Sequence, residues 1–118
     1  MTNYDDVNLE PVRDLIEPKL MRYYEAMNDA AESVANEIIN NGELSEIGRA
    51  AFLDENMLQA SILGDDYRAA AKTRDVYLPD GFVVEMEERL IEKYNEEIEK
   101  LITRLESLKV ESMIPPKM

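Results

Sequence analysis

Residues 82–109 read FVVEMEERLIEKYNEEIEKLITRLESLK, and the spacing within this stretch decides the fold. Val84, Ile91, Ile98 and Leu105 recur every seven residues, with Tyr94, Leu101 and Leu108 three residues after the last three of them. That is a heptad seam, the pattern of a helix lying lengthwise against other helices. The first interleaved position is Glu87, so the seam is imperfect at its start. Val83 and Leu90 flank it early and Ile102 flanks it late. A helix with 3.6 residues per turn drifts in this way against a seven-residue repeat.

Two earlier stretches carry matching stripes. In residues 18 to about 40, Leu20, Tyr24, Met27, Ala31, Val34 and Ile38 alternate at spacings of four and three. Met21, Tyr23, Ala30, Ala35 and Ile39 widen that stripe into a broad apolar face. Asn41-Gly42 ends the helix, because glycine takes the left-handed conformation at little cost. After Ser45, a cap by residue type, Ala50, Leu53, Met57, Ala60, Gly64, Tyr67 and Ala71 form a stripe of mostly small residues. Gly64-Asp65-Asp66 is a candidate break, but the register survives it, so one helix of roughly 30 residues is expected rather than two.

The connections follow from turn chemistry. Tyr77-Leu78-Pro79-Asp80-Gly81 is a turn, with Asp80 placed to cap the last helix. Residues 1–8 are polar and expected to be extended, and Asn8 can cap a short helix with Pro11 in its first turn. Pro18 disfavours helix at Glu17, so a break is expected there. The expected organisation is an arm with a short helix at 1–17, a bundle at 18–110 and an extended tail at 111–118, where Pro115-Pro116 forbids helix. Short links make neighbours antiparallel. The expected fold is therefore all-α: an elongated antiparallel three-helix bundle with coiled-coil-like packing and a short extra N-terminal helix.

Composition limits the chemistry. The 118 residues include 26 acids and 13 bases, for a formal charge of −13, and neither cysteine nor histidine. This charge repels phosphate backbones and anionic lipid and favours basic protein partners, with no direct nucleic acid or membrane contact expected. The commonest general base and the commonest zinc ligands are missing. Serines stand at 33, 45, 61, 107 and 112, none in a glycine elbow and none followed three residues on by lysine. Glu85 and Glu88, or Glu88 and Glu92, could hold magnesium only with oxygens from a second helix; pairing of Glu85 with Arg89 and Glu96 with Lys100 is the plainer expectation. Arg49, Arg68, Lys72 and Arg74 are expected to pair with acids on neighbouring helices rather than to grip an anion. No catalytic residue, metal or cofactor is expected. No apolar run approaches the ~20 residues of a membrane span. The acidic start MTNYDDVNLEP is unlike a leader, which points to the cytoplasm. The same profile suits a virus-encoded protein in a host cytoplasm or virion.

Charge distribution carries the functional expectation. Between Arg22 and Arg49 lie Glu25, Asp29, Glu32, Glu37, Glu43 and Glu46, with no base among them. Residues 1–46 hold 11 acids against three bases. Glu25, Asp29, Glu32 and Glu37 are the candidate partner-binding face; the alternative is a solvated surface that maintains solubility. Two functions remain. One is a non-enzymatic structural or assembly protein that self-associates or docks on a larger protein complex. The other is an acidic inhibitor or adaptor for a basic, nucleic-acid-binding protein, imitating nucleic acid. Ile98→Ala and Leu101→Ala are each expected to cost ~2–5 kcal/mol in urea unfolding if the seam is buried. A loss below about half a kcal/mol for both would put the seam in water.

Overall fold

The computed structural model describes residues 7–113, with side chains described as far as Leu108. A single 3-10 turn, Glu10–Val12, leads into three α-helices: α1 (Arg13–Asn41), α2 (Glu46–Thr73) and α3 (Asp80–Met113). Each helix packs on the other two, giving the antiparallel three-helix bundle expected from the spacing. The molecule is a rod of 68 × 26 × 23 Å. No strand occurs among the described residues.

The helix ends show why the chain turns where it does. Gly42 takes φ 88° beyond α1, and its amide donates to the Ile38 carbonyl at 2.7 Å. Ser45 caps α2: its Oγ accepts from the Gly48 amide at 3.0 Å. The end of α2 is a Schellman motif closed by an aspartate rather than a glycine. Asp75 adopts φ 53°, its amide donates to Lys72, and the Val76 amide reaches back to Ala71 at 2.8 Å. α2 is one uninterrupted helix through Gly64. Asp80 is the first residue of α3 rather than its cap, and its carboxylate accepts from Arg68 Nε at 3.0 Å.

The expected break at Glu17–Pro18 is absent, and α1 runs through Pro18 in its second turn. An interior proline removes one helical hydrogen bond and crowds the preceding turn, at a cost of ~3 kcal/mol. The turn before it is held from outside. Arg74 donates to the Pro11 carbonyl at 3.1 Å and to both Asp14 carboxylate oxygens at 3.3 and 2.8 Å. Val12 and Ile16 are buried in the core. The residue that caps the short N-terminal turn is Leu9 rather than Asn8, and it makes no side-chain cap bond; Asn8 stands one residue earlier, its Oδ1 accepting from the Glu10 amide at 3.1 Å. At the other end residues 111–113 continue α3 instead of extending. The expectations for residues 1–6 and 114–118 lie outside the described residues.

The buried stripes are shifted in phase from the heptad reading. On α3 Val83 is fully buried, whereas Val84 is 39% and Leu108 51% exposed. Ile98 and Ile102 are buried, with Met86, Leu90, Ile91, Tyr94, Leu101 and Leu105 partly buried against the core. A 3.6-residue period drifts against a seven-residue repeat, and the buried line on α3 accordingly crosses the heptad positions instead of following them. Leu101, being only partly buried, belongs at the low end of the cost given above. On α1 Met27, Val34 and Ile38 are buried as read, but Tyr23 is buried more deeply than its neighbours Leu20 and Tyr24. On α2 Ala50 is exposed and Met57 is 58% exposed, Leu53 is partly buried against the core, and Phe52 and Asn56 take the fully inward positions.

Asn56 is 0% exposed, and its side chain joins all three helices. Its Oδ1 accepts from the Tyr23 hydroxyl of α1 at 2.6 Å. Its Nδ2 donates to the Ile91 carbonyl at 3.0 Å and to Asn95 Oδ1 at 3.1 Å, both on α3. Burial pushes the Tyr23 phenol above its usual range. The ring stacks edge-on against Tyr94, centroids 5.6 Å apart.

Glu87 explains the flaw at the start of the α3 seam. It lies over Gly64 of α2, where an added Cβ would come 1.7 Å from Glu87 Oε1. That oxygen is buried without a hydrogen-bond partner, and the nearest cationic nitrogen, on Arg68, is 3.6 Å away. Burial pushes the Glu87 carboxyl above its usual range against the opposing pull of Arg68.

Two expectations follow from these contacts. Tyr23→Phe leaves Asn56 Oδ1 buried and unpaired, and should lower urea-unfolding stability by ~1–3 kcal/mol with helix content unchanged. For Glu87, the folded protein holds the proton more tightly than the unfolded chain. Its contribution therefore shifts in favour of the fold as pH falls through the raised value, and is complete below the unfolded carboxylate value. Glu87→Gln should match or exceed the parent in stability at pH 7, and the parent should gain on it towards pH 4. A parent clearly more stable at pH 7 would mean that the Arg68 attraction outweighs burial.

Candidate docking groove

Small residues at regular spacing open a groove between α1 and α2. Ala26, Ala30 and Ser33 stand four and three residues apart on α1, and Gly48 and Ala51 face them from α2. With no long side chain to fill the space, a groove of about 440 Å³ remains, and no α3 residue lines it. Val34 and Phe52, both buried, form its floor. Asp29, Glu37 and Glu55 are the charged residues along it, and no lysine or arginine is present.

The link between α1 and α2 closes one end of this groove. Glu37 Oε1 accepts from the Ser45 hydroxyl at 2.6 Å and from the Ser45 amide at 3.2 Å. In a local capping box, a glutamate three residues after the cap makes the second of these bonds. Here that position is Gly48, and a Cβ on it would come 2.1 Å from Glu37 Oε2. A carboxylate from α1 thus completes the cap of α2, and glycine leaves room for it. One turn before Ala26, Arg22 crosses to Asp66 at 2.6 Å.

The arginines decide where negative charge is left over. Arg49 pairs with Glu99 of α3, Arg68 with Asp65 and Asp80, and Arg74 with Asp14 of α1. The Arg74 guanidinium holds the Asp14 carboxyl below its usual range through its hydrogen bonds. Three of the four bases noted on the middle helix are thus committed to acids within the fold. No ion pair among the described residues reaches Glu25, Asp29 or Glu32, and all three are exposed.

Of the four residues read as a partner face, Asp29 and Glu37 line the groove. Glu25 and Glu32 lie on the adjoining outer surface of α1, among exposed Met21 and Ile39. Glu37 is set apart, being half-buried and engaged at the α2 cap. Glu85 pairs with Arg89 at 2.5 Å. Among the described residues no group of three or more acidic side chains is placed to hold a metal ion. No described helix is long and apolar enough to cross a membrane. The groove itself was missed in the sequence. Its signal was the small residues at 26, 30, 33 and 51, which read there as part of an apolar face or not at all.

No protein-family model, curated protein or solved structure matches this chain.

Removing the α1 carboxylate from the cap should separate Glu37 from its acidic neighbours. Glu37→Ala is expected to cost ~0.5–2 kcal/mol in urea unfolding, the usual worth of a cap. Glu25→Ala should stay within about half a kcal/mol, as for a solvated surface residue. Equal effects would remove the capping role.

Proposed function

We propose that the protein is a non-enzymatic docking component that presents the acidic surface of α1 to a protein partner with a basic surface. The observation behind this reading is the uneven compensation of charge. Arg49, Arg68 and Arg74 are committed to acids within the bundle, while among the described residues Glu25, Asp29 and Glu32 have no ion pair. Exposed carboxylates of this kind steer a basic partner to the surface and set the orientation in which it lands. A partner that binds nucleic acid presents positive charge arranged for phosphates, so an elongated acidic rod also suits inhibition by occupying that surface. Self-association is the second reading, favoured by the exposed apolar side chains of Ile47, Met57 and Leu58 on α2.

Affinity purification from the native cell supplies the partner, and titration with the purified partner supplies the test. Changing Glu25, Asp29 and Glu32 together to lysine should leave helix content intact and weaken binding at least tenfold in low salt. Binding that is unchanged by the triple reversal removes the acidic surface as the docking site. For self-association, sedimentation should show a dimer or larger particle at tens of micromolar, and a strict monomer there removes that reading.

A further inference from the structure

We propose that the α1–α2 groove is the seat of a helix from a different protein, one whose small apolar ridge is flanked by lysine or arginine, so that the complex is a four-helix bundle. The inference rests on the docking reading and names the part of the surface that grips.

The shape supports a helix. Helices pack with axes 8–10 Å apart by laying the ridges of one into the grooves of the other, and small residues permit the closest approach. Ala26, Ala30 and Ser33 form such a row, with Gly48 and Ala51 opposite. The floor, Val34 and Phe52, belongs to the core, so an incoming ridge would extend existing packing. From residue 26 to residue 37 the row spans ~16 Å at 1.5 Å per residue, enough for two to three turns of a partner. The α2 wall also continues past the groove: Leu58 follows Ala51 by seven residues and is more than half exposed.

The charge selects which helix. Asp29, Glu37 and Glu55 flank the groove and no base lines it, so the flanks of the entering helix are cationic. A second copy of this chain fits poorly. Two bodies of formal charge −13 repel, and Arg22, Arg49, Arg68 and Arg74 are already paired within the fold. The contacts on offer are apolar walls with acids at the edge, the complement of a basic amphipathic helix.

The test uses the full chain and two synthetic helical peptides of about 18 residues with the same alanine–serine–leucine ridge. One peptide is flanked by lysine and the other by glutamate. In an NMR titration the lysine peptide should bind, with the largest shifts at Ala26, Ala30, Ser33 and Ala51, and the glutamate peptide should not. Ser33→Leu and Ala51→Phe fill the groove from exposed positions. Each should leave thermal unfolding within a few degrees of the parent and weaken the lysine peptide at least tenfold, and Glu55→Lys should weaken it likewise. Shifts confined to Glu25 and Glu32, with affinity unaffected by the groove-filling variants, would overturn the groove while leaving the docking reading in place. So would capture of the native partner that depends on Glu25 and Glu32 but not on Ser33 or Ala51. Equal binding of the two peptides, or of neither, overturns the assigned chemistry. A dimer of the protein that Ser33→Leu or Ala51→Phe dissolves makes the occupant a second copy and overturns it as well.

Discussion

The bundle depends on one buried amide. Helices faced with alanine, glycine and short aliphatic side chains can slide along one another with little change in apolar burial. Asn56 removes that freedom, because its oxygen and nitrogen must meet Tyr23 on α1 and Ile91 and Asn95 on α3 simultaneously. A slip by one turn would leave several polar groups buried and unpaired, each costing ~1–3 kcal/mol. A buried polar residue that fixes register is the best-attested use of such groups in helical assemblies. The tyrosine cluster lies on the same level: Tyr23 touches both Tyr24 and Tyr94, so the phenol that satisfies Asn56 is itself held by packing.

Given that register, the helix ends are fixed by groups distant in sequence. Arg74, just past α2, grips the carbonyl of Pro11 and the carboxylate of Asp14 at the start of α1. Glu37, near the end of α1, completes the cap of α2. Arg68 on α2 holds Asp80 at the start of α3. Exposed ion pairs contribute little one at a time. Their effect here is positional, since each ties a helix terminus to a neighbouring helix and so sets where the turn must fall. Asp75 is the local exception, its left-handed backbone kept by Schellman bonds from its own and the next amide back to Lys72 and Ala71 of α2.

The sequence was readable where local chemistry decides the outcome. Gly42 and Ser45 marked the ends they make, the stripe across Gly64 identified α2 as one helix, and short links implied antiparallel neighbours. It misled where a distant partner decides. Pro18 reads as a break because the guanidinium that steadies the turn before it lies some 56 residues away in the chain. Asn56 was passed over since a lone polar residue on a helix is ordinarily solvated, and nothing nearby reveals its three partners. The heptad reading put Val84 and Leu108 in the contact line of α3, whereas the folded helix buries Val83 and Ile102. Of the proposed contact face, exposure of Glu25, Asp29 and Glu32 was legible from the opposite stripe. The role of Glu37 was not, because it depends on which helix end it meets. The groove was legible only as small residues at helical spacing, because it belongs to the pairing of two faces and neither face alone contains it.

These features share an electrostatic consequence. In a chain with twice as many acids as bases, Arg22, Arg49, Arg68 and Arg74 are each set against an acid of another helix. None of these pairs reaches the middle of α1, which carries Glu25, Asp29 and Glu32 at successive turns. Carboxylates about 6 Å apart along a helix lie within the ~8 Å screening length of physiological salt, so they repel one another mildly. The fold tolerates that repulsion because the groups remain solvated. A basic surface approaching α1 would remove the repulsion and gain attraction without disturbing any contact inside the bundle. The stitching that stabilises the rod and the charge that makes α1 attractive to a cation are therefore two results of one distribution of arginine.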